Sequence, residues 1–304
     1  MDLNFKLERR HRLAGYGVFA FLAFVLALRM TIPIEAVKER IVMDAAARGW
    51  QVSIADVRPA GLVGIGMTSI SLESADGVRI PIEKLDATLR LWPLLLGRRG
   101  FSFDATLFEG RVKGFAEESK TTRRLAATVA GVDLSRAAPL RKATGLVLAG
   151  TVTGDLDLTL DEKEPAMSAG HLDLAVERAA VNGGEVPVPG MGGALSLPKI
   201  AFGRVTAKAV VKGGRFTFER LDAKGDDIEA TGEGLYLLLQ PRLAFAPIAG
   251  KARLLIRDGF WKKSGTSGFK GIVGMALAQA RGRDGGYGFQ ISGTLSQPQA
   301  RMSP

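Results

Sequence analysis

Asp155, Asp157 and Asp161 form a dense group of carboxylates, and such a group suits a hard cation such as calcium if a loop wraps it with oxygen ligands. The spacing argues against that chemistry. A period of two puts these aspartates on the wet face of a strand, against Leu156, Leu158 and Leu160, and no flexible ligand loop accompanies them. Glu117-Glu118 and Asp226-Asp227 read as surface acids near turns. Of the two histidines, His11 and His171, the second opens a strand as a surface residue. They are too few and too far apart for an imidazole metal centre or a Ser-His-Asp triad. Cysteine is absent, which removes disulfides, thiolate nucleophiles and thiolate metal sites.

No G-x-S-x-G elbow, phosphate loop or H-E-x-x-H occurs. The glycines of Gly61-Leu62-Val63-Gly64-Ile65-Gly66 have the wrong spacing for a dinucleotide turn, and a strand bend is the better reading. An envelope hydrolase is therefore disfavoured. No catalytic residue, metal ligand or cofactor is nominated, and the chain reads as non-enzymatic.

One cluster combines apolar rings with cations: Phe260, Trp261, Lys262 and Lys263, followed by the apolar Phe269 to Ala278. It can rest on an anionic membrane surface or dock a partner helix. The preferred alternative is an amphipathic helix that closes the end of a sheet, with Trp261 as its plug.

These residues need elements to hold them, and composition narrows the choice. The 304 residues are 46% hydrophobic and 24% charged, enough for a large folded domain. Thirty-eight glycines without a collagen period suit tight turns and strand bulges. The net charge of +10 is dispersed and not interleaved with aromatics, which argues against nucleic acid.

Leu13 to Leu28 is an uninterrupted uncharged run that includes Phe19, Phe21 and Phe24. Sixteen helical residues reach about 24 Å. Continuing to Ile34 spans a bilayer, with Arg29 snorkelling at the interface. Lys6, Arg9, Arg10 and Arg12 precede the run, so the positive-inside rule leaves residues 1–12 in the cytoplasm. The expectation is a single-pass anchor over 13–34 and an extracytoplasmic domain over 35–304. Cleavage is disfavoured because neither Ala27-Leu28-Arg29 nor Ile34-Glu35-Ala36 offers small residues before a cut.

Ile34 to Arg48 has helical spacing, and Gly49 ends it. The period then becomes two. Leu85, Ala87, Leu89 and Leu91 alternate with Asp86, Thr88, Arg90 and Trp92; Phe101, Phe103, Ala105 and Leu107 repeat the pattern, as do Leu172-Leu174-Val176, Phe216-Phe218 and Tyr287-Phe289-Ile291. Asp76-Gly77, Gly213-Gly214, Lys224-Gly225-Asp226 and Gly285-Gly286 separate alternating runs. Short helices are expected at Leu134 to Lys142 and Lys270 to Arg281. Val181 to Pro198 reads as a Gly/Pro-rich loop, either a bend in the sheet or a boundary. The expected fold is mainly β: an elongated antiparallel sheet with a few short helices, which the AsmA-like resemblance described below implies to be curved. Leu156, Leu158, Phe216 and Phe218 mark its apolar face, which forms either a closed core or an open trough.

Several segments carry a resemblance. They are the helix end Ala45-Ala46-Ala47-Arg48-Gly49-Trp50, Ile70 to Leu96, Phe101 to Gly114, and Ile291 to Pro298. In this order, after a basic start and one apolar span, they resemble the type II secretion system protein N (GspN) family over most of the chain. The resemblance rests on pattern and order and includes no catalytic signature. Ile80 to Gly114 is also similar to AsmA-like envelope proteins, which carry a long antiparallel sheet curved around an apolar groove and are associated with lipid movement between membranes. Both resemblances imply a bacterial inner-membrane protein with a periplasmic β-domain. The first implies an accessory component of type II protein secretion that presents a sheet edge or face to other secretion-system proteins. The alternative is a lipid-binding or lipid-transfer module.

Overall fold

The computed structural model describes residues 34–47, 49–61, 63–74, 77–187, 194–240, 243–263 and 266–303, together with Phe19. The expected span from Leu13 through Phe21, Phe24, Leu28 and Arg29 to Pro33 lies, apart from Phe19, outside them. Among the described residues no helix is long and apolar enough to cross a membrane.

Fourteen strands form one sheet in which every strand pairs antiparallel with its sequence neighbours. They are β1 Trp50–Ala60, β2 Gly64–Ser74, β3 Arg79–Leu89, β4 Arg99–Leu107, β5 Gly110–Glu118, β6 Thr122–Asp133 and β7 Leu146–Asp161. The second half is β8 Ala169–Pro187, β9 Ala194–Lys212, β10 Arg215–Lys224, β11 Ile228–Leu238, β12 Ile248–Ile256, β13 Tyr287–Thr294 and β14 Gln297–Met302. Thirteen strand spacings give about 62 Å along the pairing direction.

Among the described residues these helices join or flank the strands: α1 Ile34–Ala46, α2 Leu91–Leu95, α3 Ala138–Thr144, α4 Asp258–Trp261 and α5 Ser267–Ala276. α1 stops two residues short of the expected end, and Gly49 takes φ +81° beyond it. The helix expected at Leu134 to Lys142 is split. Asp133 accepts a hydrogen bond from the Ser135 amide at 2.8 Å to start a 3-10 turn, and α3 follows. The one expected at Lys270 to Arg281 starts earlier, at Ser267, and ends at Ala276.

Two other expectations need correction. Val181 to Pro198 is not a long loop: Val181 pairs with Ile200 and Gly184 with Leu197, so β8 and β9 run on for 19 residues each. Cross-strand pairing overrides the local glycine bias, and Gly184 is required there because a Cβ would meet the Gly145 carbonyl oxygen at 2.4 Å. Leu91 and Trp92 do not continue β3. Pro93 has no amide to give the ladder, and the chain leaves the sheet at Arg90 to form α2.

Register places one apolar row across all fourteen strands, from Val57 through Met67, Leu85, Ala105, Val112, Val129, Gly154, Leu174, Ala207, Leu221, Gly232, Ala252 and Phe289 to Met302. On the opposite face Asp86, Asp104, Lys113, Thr128, Asp155, Asp173 and Lys208 form a polar row. The sheet thus has one oily and one wet side along its length.

At the first end Ile54, Met67 and Ile70 form a buried cluster, with Ile41 of α1 packed against them. α1 therefore lies over the first strands of the sheet. Further apolar side chains are buried in the second half of the sheet, among them Val211, Ile228, Leu235, Leu237 and Phe260.

Candidate functional site

Beyond the part of the sheet that α1 covers, the apolar face opens into a groove of ≈ 500 Å³ spanning β3 to β7. That size falls within the range of small-molecule pockets. Its floor is one cross-strand row, Leu89–Phe101–Ala116–Leu125–Leu158, with Leu160 beside it. A concavity that crosses five strands on this side makes the oily face the inner face of the curve.

The side chains on the floor are not packed over. Leu89 is 41%, Phe101 48% and Leu125 40% exposed. Phe101 and Phe103 lie with ring centroids 6.3 Å apart, tilted by 50°. The next row along the strands, Ala87–Phe103–Gly114–Ala127–Leu156, keeps the floor low through its small members.

The two ends of the groove differ. At the edge where β3 begins and β6 ends, α3 bridges the mouth: Lys142 Nζ donates to the carbonyl oxygen of Gly77, and Ala137 is 4% exposed. At the opposite edge the rim is charged. Arg99, Glu118 and Arg123 line it, with Arg123 3.3 Å from Glu118 and 2.9 Å from Glu162. α2 stands at this open edge.

The polar face holds the sheet through cross-strand ion pairs. Arg124 donates to both oxygens of Asp157, at 3.2 and 2.8 Å, and Arg111 likewise to Asp104 at 2.6 and 2.5 Å. These hydrogen bonds hold both carboxyls below the usual carboxylate range. His171 Nε2 is 3.0 Å from Asp155. Asp161 caps the following turn by accepting from the amides of Lys163 and Glu164. Among the described residues no three His, Cys, Asp or Glu side chains converge as a metal site.

Of the residues singled out from sequence, Leu158 lines the groove. Leu156, Phe216 and Phe218 share its face but sit outside the cavity. Phe216 and Phe218 meet edge to face at 5.2 Å, half-buried, further along the sheet.

The Phe260–Lys263 cluster is partly held within the fold. Phe260 is 2% exposed, Trp261 packs edge-on against it at 5.0 Å, and Lys263 pairs at 2.6 Å with Asp227. Only Lys262 of the four is exposed and without an ion-pair partner among the described residues. Nor are all the acids surface groups. Asp227 is 1% exposed and accepts from the Ala201 amide at 2.7 Å, while Glu117 is ion-paired to Arg90, whose guanidinium lies 4.2 Å from the Phe115 ring centre.

Sequence reasoning missed α2. Trp92 is 74%, Leu95 78% and Leu96 63% exposed. The cue was present as a proline inside an oily run followed by two arginines, but strand periodicity absorbed it.

Fold and face together define a class, a single-layer antiparallel meander that is oily on one side and ion-paired on the other. Comparisons with models of protein families, with curated proteins and with solved structures find no match for this chain.

Proposed function

We propose that the chain is a non-enzymatic lipid-handling protein that seats acyl chains on its oily face. It is anchored by residues 13–34 in a bacterial inner membrane, with the N-terminus cytoplasmic and residues 35–304 in the periplasm. The observation that carries this reading is the half-exposed floor Leu89–Phe101–Ala116–Leu125–Leu158 in a groove that no layer of the described residues covers. Soluble proteins seldom leave such a continuous apolar area to water, because burial is worth roughly 25 cal/mol per Å². A flexible hydrocarbon fits a long floor without polar anchors, and the charged rim suits a headgroup at the open end. The similarity of Ile80 to Gly114 to AsmA-like proteins points the same way. Mass spectrometry of gently purified protein is the test. Stoichiometric phospholipid supports the assignment, and protein free of lipid after detergent-free extraction refutes it.

A second reading is accessory scaffolding in type II secretion, in line with the GspN-like segments. It is favoured by β14, whose six residues are all exposed and whose outer edge is unpaired among the described residues. Such an edge can accept a strand from a partner. Crosslinking followed by co-purification discriminates: secretion-system proteins on β14 support it, and their absence removes it.

A further inference from the structure

We propose that the turn Leu91–Leu96 is a membrane-contact tip, seated in the interface of an anionic phospholipid bilayer. This inference goes beyond the lipid-handling reading and holds whether or not the groove carries lipid.

The first observation is the chemistry of the tip. Five apolar side chains, Leu91, Trp92, Leu94, Leu95 and Leu96, crowd one short turn and are between 38% and 78% exposed. Pro93 is the buried residue on which the turn rests. Tryptophan and leucine on a protruding turn match the interfacial belt, where one end of the indole is oily and the other wet.

The second observation is charge. Gly97 at φ +72° ends the turn, and the chain returns to β4 through Arg98 and Arg99. Neither arginine has an ion-pair partner among the described residues, whereas Arg90 on the other flank is committed to Glu117. Two unpaired cations at the base of an oily tip complement anionic headgroups above the inserted side chains.

The third is placement. Ile41 of α1 packs on Ile54, Met67 and Ile70, so α1 lies over the first strands, beside the hairpin that carries the tip. The tip stands between β3 and β4, about 12 Å from β1 by strand spacing. The open mouth of the groove, rimmed by Arg99, Glu118 and Arg123, is at the same edge as the tip.

The chain has no cysteine, so one probe can be placed without background. The full chain with Leu95→Cys, labelled with an environment-sensitive nitrobenzoxadiazole, is reconstituted into vesicles of phosphatidylcholine and phosphatidylglycerol. Doxyl-labelled lipids in the same vesicles should quench the probe by about half or more, with a blue-shifted emission. A probe on the polar face, at Lys113→Cys, should stay in water. Arg98→Glu with Arg99→Glu should lower the quenching on anionic vesicles and leave it unchanged on pure phosphatidylcholine. A water-exposed, unquenched probe at position 95 overturns the proposal. So does a blue-shifted but unquenched one, which assigns the tip to a protein surface. Leu95 is mostly exposed, so its replacement leaves the packing intact, and a matching circular dichroism spectrum verifies the fold.

Discussion

Lys263 Nζ lies 2.6 Å from the carboxylate of Asp227, so the cation at the end of α4 closes over an acid in the turn between β10 and β11. The Ala201 amide of β9 donates to the same carboxylate. The pair is lopsided, because Asp227 is buried whereas the Lys263 side chain is 45% exposed. Lys263→Met strands a buried charge with one amide for company and should cost about 2–4 kcal/mol. Asp227→Asn leaves only a solvated ammonium and should cost about 1–2 kcal/mol. Denaturant unfolding of both single variants and the double variant checks the order. Equal costs would mean that the acid is not as dry as its surroundings indicate.

The groove floor should respond in the opposite sense. Leu125 is 40% exposed, so Leu125→Glu removes little burial and should change stability by less than about 1 kcal/mol. Its carboxylate would nevertheless sit in the path of any acyl chain. Phospholipid recovered per mole of protein should fall at least fivefold, roughly the effect of placing an unpaired charge against hydrocarbon. A lipid content that survives the substitution moves the binding surface away from β3–β7.

Much of this architecture is legible from local pattern. Period two in Leu156-Leu158-Leu160, and a glycine pair such as Gly213-Gly214, suffice to draw hairpins in order. What escapes local pattern is the third dimension. Nothing near Asp227 announces that a lysine 36 residues away will bury it. Whether Leu158 faces a filled core or an open groove depends on how far the sheet curls and on what covers it. Leu91 and Trp92 mislead for another reason: they extend the alternation of β3 up to the point where Pro93 cannot supply a ladder hydrogen bond.

Acid should loosen the polar face. Hydrogen bonds from Arg124 lower the carboxyl of Asp157 from its ordinary value of 3.8, and those from Arg111 do the same for Asp104. A group whose folded value lies below its unfolded one adds stability above the unfolded value and loses it as pH falls toward and through the folded value. The loss therefore lies at and below about pH 4, where the unfolded chain binds protons first. Both pairs face solvent, so each contributes little and weakens with salt. Urea midpoints from pH 6 to pH 2 should fall less steeply for Asp157→Asn than for the parent chain, and 1 M salt should narrow the difference. Parallel profiles would assign the acid sensitivity elsewhere.

Close approach in the sheet yields a paired prediction about glycine. Gly154 of β7 has φ +146°, and a Cβ there would meet the Asp173 carbonyl oxygen at 2.0 Å. Gly154→Ala must therefore push β7 and β8 apart or twist the backbone, at a cost of about 1–3 kcal/mol. Gly271 of α5 is helical, exposed and has nothing within 4 Å of its would-be Cβ. Gly271→Ala should instead stabilise by about 0.5–1 kcal/mol through helix propensity. Thermal unfolding of the two variants side by side reads the contrast directly. If Gly154→Ala were tolerated as well as Gly271→Ala, the β7–β8 pairing that carries the inner end of the groove would have to be looser than its register implies.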